Sequence, residues 1–202
     1  DTEAETLTGN SPDATVIFDF PETYNKVGPA LVRTGNFDTS TTWVTDGLKS
    51  SDLAEGAGAD AVDGIRGTAP GSPDEGDAST AFDELYTSSE PADVERQTFD
   101  SQNFDAVVLC YLTSVAAGST DGADMAATLQ DVSGPGGDKY TWEQLPEAIE
   151  ALQNGDDIDY EGASGALDFD ENGDPTAGVY DIFEVKDGVD TVIDEVAVAT
   201  TG

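Results

Sequence analysis

Ala14-Thr15-Val16-Ile17-Phe18-Asp19-Phe20-Pro21-Glu22-Thr23, near the start of this 202-residue chain, sets an α/β pattern. Its first half is a short β-branched run, opened by Ser11-Pro12-Asp13 and closed by Phe20-Pro21, and reads as a buried strand. Pro21-Glu22-Thr23 then starts a helix that carries Val27, Leu31 and Val32 inward and stops at Gly35. Gly28-Pro29 marks a kink or a late start within it.

Working outward, the alternation repeats. A second strand spans Thr41 to Thr45 and ends in Asp46-Gly47, and a third spans Val62 to Thr68 and ends in Ala69-Pro70-Gly71. Strand, helix, strand, helix, strand points to an α/β fold with a parallel sheet and flanking helices, whose strand C-termini share the edge where ligands bind. An acidic loop, Gly71 to Asp77, leads to a helix with Phe82, Leu85 and Tyr86 on one face. A long helix follows from Ser101 to Gly118. Because Phe104 to Ala117 is apolar nearly all round, it is expected to lie between layers, with Cys110 a buried inert thiol. Further helices are expected over Gly122 to Val132 and Thr141 to Gln153, the latter with a Thr141/Gln144 capping box and a stop at Gly155. Ala166 to Asp170 and Val179 to Val185 alternate apolar and acidic residues and read as a C-terminal β-hairpin, with a last strand from Val189 to Val198.

The surface chemistry is extreme. Forty-three acidic residues face seven basic ones and no histidine, for a formal charge of -36. Self-repulsion on that scale opposes the compact state in ordinary salt. At molar salt the Debye length falls to about 3 Å and most of the repulsion is screened. The composition therefore points to a salt-saturated environment, with a cation-buffering or mineral-binding protein as the competing explanation. Acid is spread along the chain rather than blocked into repeats. Hydrophobic residues still make up 37% and gather in runs, so the chain has material for a core. Scattered Lys and Arg exclude nucleic acid as a partner and disfavour anionic membranes. No run of about 20 apolar residues is present, and a start at Asp1 without a leader suits a mature protein or a fragment alike.

Chemistry is weakly represented. Without histidine there is no Ser-His-Asp arrangement, no histidine zinc ligand and no base poised near neutrality. No phosphate-binding GxxxxGK[ST] loop occurs. Asp168-Phe169-Asp170-Glu171-Asn172-Gly173 opens like an EF-hand loop, yet the twelfth position, which needs a bidentate Glu, is Val179. An acidic hairpin turn is the expectation there. The reading is a non-enzyme with no cofactor and no metal.

Several stretches, in order, resemble the type 1 periplasmic binding proteins of the Leu/Ile/Val-binding family. They are Ala14 to Glu22, the Trp43-Val44-Thr45-Asp46-Gly47 turn, Gly64-Ile65-Arg66-Gly67-Thr68-Ala69-Pro70, Asn103-Phe104-Asp105-Ala106-Val107, and Tyr160-Glu161-Gly162-Ala163-Ser164-Gly165 leading into Asp168 to Asp174. The resemblance implies two α/β lobes closing on a ligand, of which residues 1–100 would be the later part of the second lobe and 101–202 the return through the first. It implies the extracellular binding component of an ABC transporter, anchored at the cell surface, with a branched-chain amino acid or similar small polar solute (an amide, urea) as ligand. The partners it implies are the permease and the remainder of the N-terminal lobe. The positions it carries over are Phe20, Pro21 and Glu22 after the first strand, Asp46 after the second, and Phe104 and Asp105 in the long helix. Aromatic and proline surfaces would pack an aliphatic side chain while a carboxylate pairs the ammonium group. For each residue a core, turn or cap role is the alternative, and for the chain the competing class is a structural or adhesive surface module of a halophile.

The charge of -36 carries a direct expectation: the thermal unfolding midpoint rises between dilute buffer and molar potassium chloride. A midpoint flat across the salt series contradicts the reading.

Overall fold

The computed structural model describes residues 2–71, 77–89, 96–134, 136–170 and 172–199. In chain order the elements are α1 (Thr2–Thr8), β1 (Thr15–Ile17), α2 (Pro21–Arg33), β2 (Thr42–Val44), α3 (Leu53–Ala57), α4 (Ala59–Val62), β3 (Arg66–Pro70) and α5 (Asp77–Ser88). After these come α6 (Asp100–Ala117), α7 (Gly122–Ala127), α8 (Leu129–Ser133), β4 (Asp138–Thr141), α9 (Leu145–Asn154), β5 (Ile158–Gly162), β6 (Gly165–Ala166), β7 (Ala177–Lys186) and β8 (Val189–Ala199). They form two compact units, Asp1–Pro70 with Tyr180–Val196, and Gly71–Val179 with Ala197–Gly202. β7 returns to pair with β3, which places Tyr180–Val196 in the first unit.

The first unit is built on a sheet of order β1-β2-β3-β7-β8. β1, β2 and β3 are parallel, in the register Thr15 to Thr42 and Trp43 to Arg66. β7 pairs with β3 antiparallel, Gly67 opposite Phe183. Asp187 and Gly188, both at positive φ, make the two-residue turn into β8. One face of this sheet carries the core: Val44, Ala69, Phe183 and Val185 pack with Tyr24, Leu48, Leu53 and Val62. Tyr24 is fully buried and donates its hydroxyl hydrogen to the Ala61 carbonyl at 2.7 Å. Burial, then the nearby Asp19 charge, pushes that phenol well above its ordinary pKa.

α2 starts at Pro21 and runs through Pro29 without stopping. Its inward face is Tyr24, Gly28 and Leu31, not Val27, which is exposed. The third strand begins at Arg66 rather than Val62, because Ala59–Val62 closes as a helical turn that buries Ala61 and Val62.

The second unit contains a sheet of order β4-β5-β6, with β4 and β5 parallel. Leu109, Leu112, Val132, Ala148, Leu152, Ile158 and Tyr160 form its core. The Thr141/Gln144 capping box is present, closing a 3-10 turn that leads into α9, and Gly155 ends that helix in the left-handed region. The expected helix over Gly122 to Val132 is instead two short ones, α7 and α8. α6 ends at Gly118, as its glycine suggests, but it is not sandwiched between layers: Val107 is 70% exposed, and Tyr111 and Cys110 are exposed as well. Its Leu109, Leu112 and Val108 face is the buried one. The segment 72–76 of the acidic loop lies outside the described residues. The tail hairpin joins β7 to β8, while Phe169 meets Pro175 only in an isolated bridge.

Gly67 is where the first unit has no slack. A Cβ there would lie 2.4 Å from Phe183 Cζ and 2.8 Å from Val44 Cγ2. Gly67→Val is expected to cost about 1–3 kcal/mol in denaturant unfolding at molar salt. Paired with Phe183→Leu it should cost less than the sum of the two single changes, whereas strict additivity would refute the contact.

Candidate functional site

In a parallel pair of strands the C-terminal ends open onto loops, and here the ends of β1 and β2 lie side by side. The Thr45 N–H donates to the Ile17 carbonyl at 3.3 Å, extending the pairing by one step. Beyond it the chain turns into a 3-10 helix, Asp46–Leu48, whose Leu48 is fully buried and anchors the loop. Asp46 is half-buried at the start of that turn. On the neighbouring strand, Phe20 precedes Pro21 at the start of α2, and Glu22 sits exposed in its first turn, where a carboxylate complements the helix dipole.

Gly47 locks the two loops together. A Cβ at this position would lie 2.6 Å from the Asp19 carbonyl oxygen and 3.1 Å from the Phe20 ring. Phe20 is nonetheless 68% exposed, so its other face is open. Phe20, Pro21, Glu22 and Asp46 are thus brought to one strand edge of the first unit. Lys49, just beyond the turn, pairs with Asp181 of β7 at 2.5 Å, both side chains nearly buried, and ties the loop to the return strand.

Phe104 and Asp105 belong to the second unit, and its own packing uses them. Phe104 lies 4.9 Å from Phe82 and 5.5 Å from Trp142, centroid to centroid, the latter edge-on. The Trp142 indole N–H donates to the Ala78 carbonyl at 2.9 Å. Asp105 is 1% exposed. Its Oδ1 accepts from the Tyr160 hydroxyl and the Ala163 N–H, both at 2.9 Å. Its Oδ2 accepts from the Ser164 N–H at 2.7 Å and the Ser164 hydroxyl at 2.6 Å. Both carboxylate oxygens are occupied internally, and Asp105 holds the β5–β6 turn. Burial and the adjoining Asp105 carboxylate push the Tyr160 phenol far above its usual pKa. Gly162 is part of the arrangement, since a Cβ there would fall 2.4 Å from Asp105 Oδ2.

Sequence reasoning missed this network, although its two halves were both in hand. Asn103 to Val107 and Tyr160 to Gly165 both belong to the resemblance, and nothing local says that they touch. A recess of about 320 Å³ lies beside the turn, between Ser164–Ala166, Ala177–Val179 and Ala197–Ala199. Among the described residues no charged side chain lines it, which makes it a poor match for a zwitterion. The Asp168 to Asp174 turn is closed by its own backbone: Asp170 Oδ1 accepts from the N–H groups of Asn172 at 2.8 Å and Asp174 at 3.0 Å. Those bonds hold the Asp170 carboxyl below the usual carboxylate range. Among the described residues, no group of three or more Cys, Asp or Glu could hold a metal ion, and no helix is long and apolar enough to cross a membrane.

The fold places the chain among known structures. It superposes on a leucine-binding protein from Thermotoga maritima with a TM-score of 0.70 at 20% identity, over 96% of this chain and 47% of that one. A branched-chain amino acid transporter substrate-binding protein from Streptococcus pneumoniae, in complex with isoleucine, gives 0.65 at 16% identity, over 99% and 48%. A solute-binding protein of an ABC transporter from R. palustris, in complex with benzoate, gives 0.66 at 16% identity, over 100% and 48%. The sequence itself matches no family profile and no curated protein. The architecture is therefore an α/β, type 1 periplasmic-binding-protein fold in part, since the chain spans about half the length of the structures it matches. Two of those structures hold a small molecule, isoleucine in one and benzoate in the other.

The Asp105 network yields a graded expectation. Asp105→Ala leaves Tyr160, Ala163 and Ser164 donors without an acceptor and should cost about 3 kcal/mol or more, at roughly 1–3 kcal/mol for each buried unsatisfied group. Tyr160→Phe removes one donor, leaves the carboxylate three, and should cost about 1 kcal/mol. Equal losses in chemical unfolding would show that the carboxylate does not organise the turn.

Proposed function

We propose that this chain is part of the extracellular substrate-binding component of an ABC transporter, which captures a branched-chain amino acid or a similar small polar solute without chemistry and presents it to a permease. It is the C-terminal portion of such a protein, from an organism that lives in concentrated salt and holds it at the cell surface by a segment outside these residues. The unit of Asp1–Pro70 with Tyr180–Val196 serves as the later part of the second lobe, and the other unit as the return into the first.

One observation carries the reading. An exposed aromatic ring, Phe20, and a carboxylate, Asp46, stand on interlocked loops at the C-terminal ends of adjacent parallel strands. Ligands of open α/β sheets bind at that edge. An aliphatic side chain can lie on the ring while Asp46 accepts from an ammonium group, a charge-assisted bond worth roughly 1.5–3 kcal/mol. Pro21 and Glu22 frame the same edge. Structures of this fold hold isoleucine in one case and benzoate in another; the Asp46 carboxylate is what favours a ligand that carries an ammonium group.

The test is calorimetric titration of the intact gene product with leucine and isoleucine at molar salt. Asp46→Ala should weaken binding by about tenfold or more and leave the melting midpoint unchanged. Glu150→Ala, on the exposed face of α9, should do neither. Equal and small effects of both would reduce Asp46 to a turn residue.

A further inference from the structure

A carboxylate by itself cannot mark a binding site in a chain with forty-three acidic residues. What distinguishes the strand edge of the first unit is the ring beside it. Phe20 is seated along one side, where a Cβ on Gly47 would lie 3.1 Å from its Cδ1 and Cε1, and the ring is otherwise bare at 68% exposure. Asp46 immediately precedes that glycine, so the carboxylate and the ring stand on neighbouring positions of the interlocked loops.

Hydrogen bonding at this edge sets what kind of cation it suits. A primary ammonium brings three N–H donors and needs an acceptor for each once it leaves water. The carbonyls that could ring such a group are spent within the loops. Ile17 accepts from the Thr45 N–H at 3.3 Å, and Phe20 accepts from those of Thr23 at 3.1 Å and Tyr24 at 2.9 Å. Thr45 accepts from the Leu48 N–H and Asp46 from the Lys49 N–H, both at 3.0 Å. Asp19 turns its Oδ1 back to the Phe20 N–H at 2.8 Å. Its carbonyl oxygen is covered by Gly47, where a Cβ would fall 2.6 Å from it. A quaternary ammonium has no N–H to satisfy, and an aromatic face together with a negative charge is what holds it.

We propose that the solute captured at this edge carries an N-methylated, quaternary ammonium group, seated on the open face of Phe20 and neutralised by Asp46. The inference rests on reading the edge as the capture site, and it narrows the ammonium-bearing solutes proposed there to those without N–H donors. Asp46 supplies attraction to any cation. Phe20 supplies the preference, because the ring face rewards a bulky methylated cation and offers a primary ammonium no acceptor.

The experiment is calorimetric titration of the intact gene product, at molar salt, with leucine and with N,N,N-trimethyl-leucine, which share a side chain and a carboxylate. We expect the trimethylated compound to bind about tenfold tighter. Phe20→Leu keeps an apolar side chain and loses the ring face. It should weaken the trimethylated compound by about tenfold, leave leucine within about twofold, and leave the melting midpoint unchanged. Phe20→Tyr should retain the preference. Leucine binding as tightly as its trimethylated derivative, or more tightly, would overturn the proposal and leave amino-acid capture standing. Equal weakening of both compounds by Phe20→Leu would do the same. Absence of saturable heat with either compound would instead sink the capture reading, and this inference with it.

Discussion

The seating of Phe183 against Gly67 is the contact on which the first unit depends. Strands β1, β2 and β3 are only three to five residues long and bury little by themselves. β7 arrives from far along the chain, its Glu184 pairing with Arg66 across 118 positions. Only a glycine opposite lets the Phe183 ring reach the layer of Val44, Tyr24 and Leu48. Full burial of such a ring contributes roughly 1.5–3 kcal/mol, a large share of the net stability of a small α/β unit. Lys49 with Asp181 repeats the same tie a few residues away.

That closure also positions the strand edge. Asp46 stands on a turn held from below by Leu48, from the side by Gly47 against Phe20, and from behind by Lys49 on β7. In the proposed role, a carboxylate so fixed would lose little freedom on accepting an ammonium group. In the second unit a different carboxylate has the opposite fate. Asp105 is surrounded by four donors from Tyr160, Ala163 and Ser164 and acts as an internal clamp. Among forty-three acidic residues, environment rather than residue type separates the two.

What was legible in the sequence follows the reach of each signal. Phe20-Pro21 marked the passage from β1 to α2, Gly118 the end of α6, and Thr141 with Gln144 the approach to α9, because caps and breakers act within a few residues. Pairings over long separations were not legible. The alternation of Ala166 to Asp170 and of Val179 to Val185 suggests that the two pair, yet β7 pairs with β3 and turns back into β8. The uniform apolarity of α6 suggested a helix between layers, and Val107 and Tyr111 instead lie open. Hydrophobicity records what a face must eventually meet, not whether the partner is within these residues. The resemblance singles out Asp105, while the partners that hold it lie 55 to 59 positions away, beyond the reach of any local pattern.

The proposed role of this fold is capture of a small solute. It is tested most directly by purifying the intact gene product at molar salt, denaturing it, quantifying the small molecules released, and titrating the refolded, emptied protein with leucine and isoleucine. The account predicts one amino acid or similarly small polar solute per protein, or saturable heat at a single site. A preparation that releases none and gives no saturable heat would contradict it.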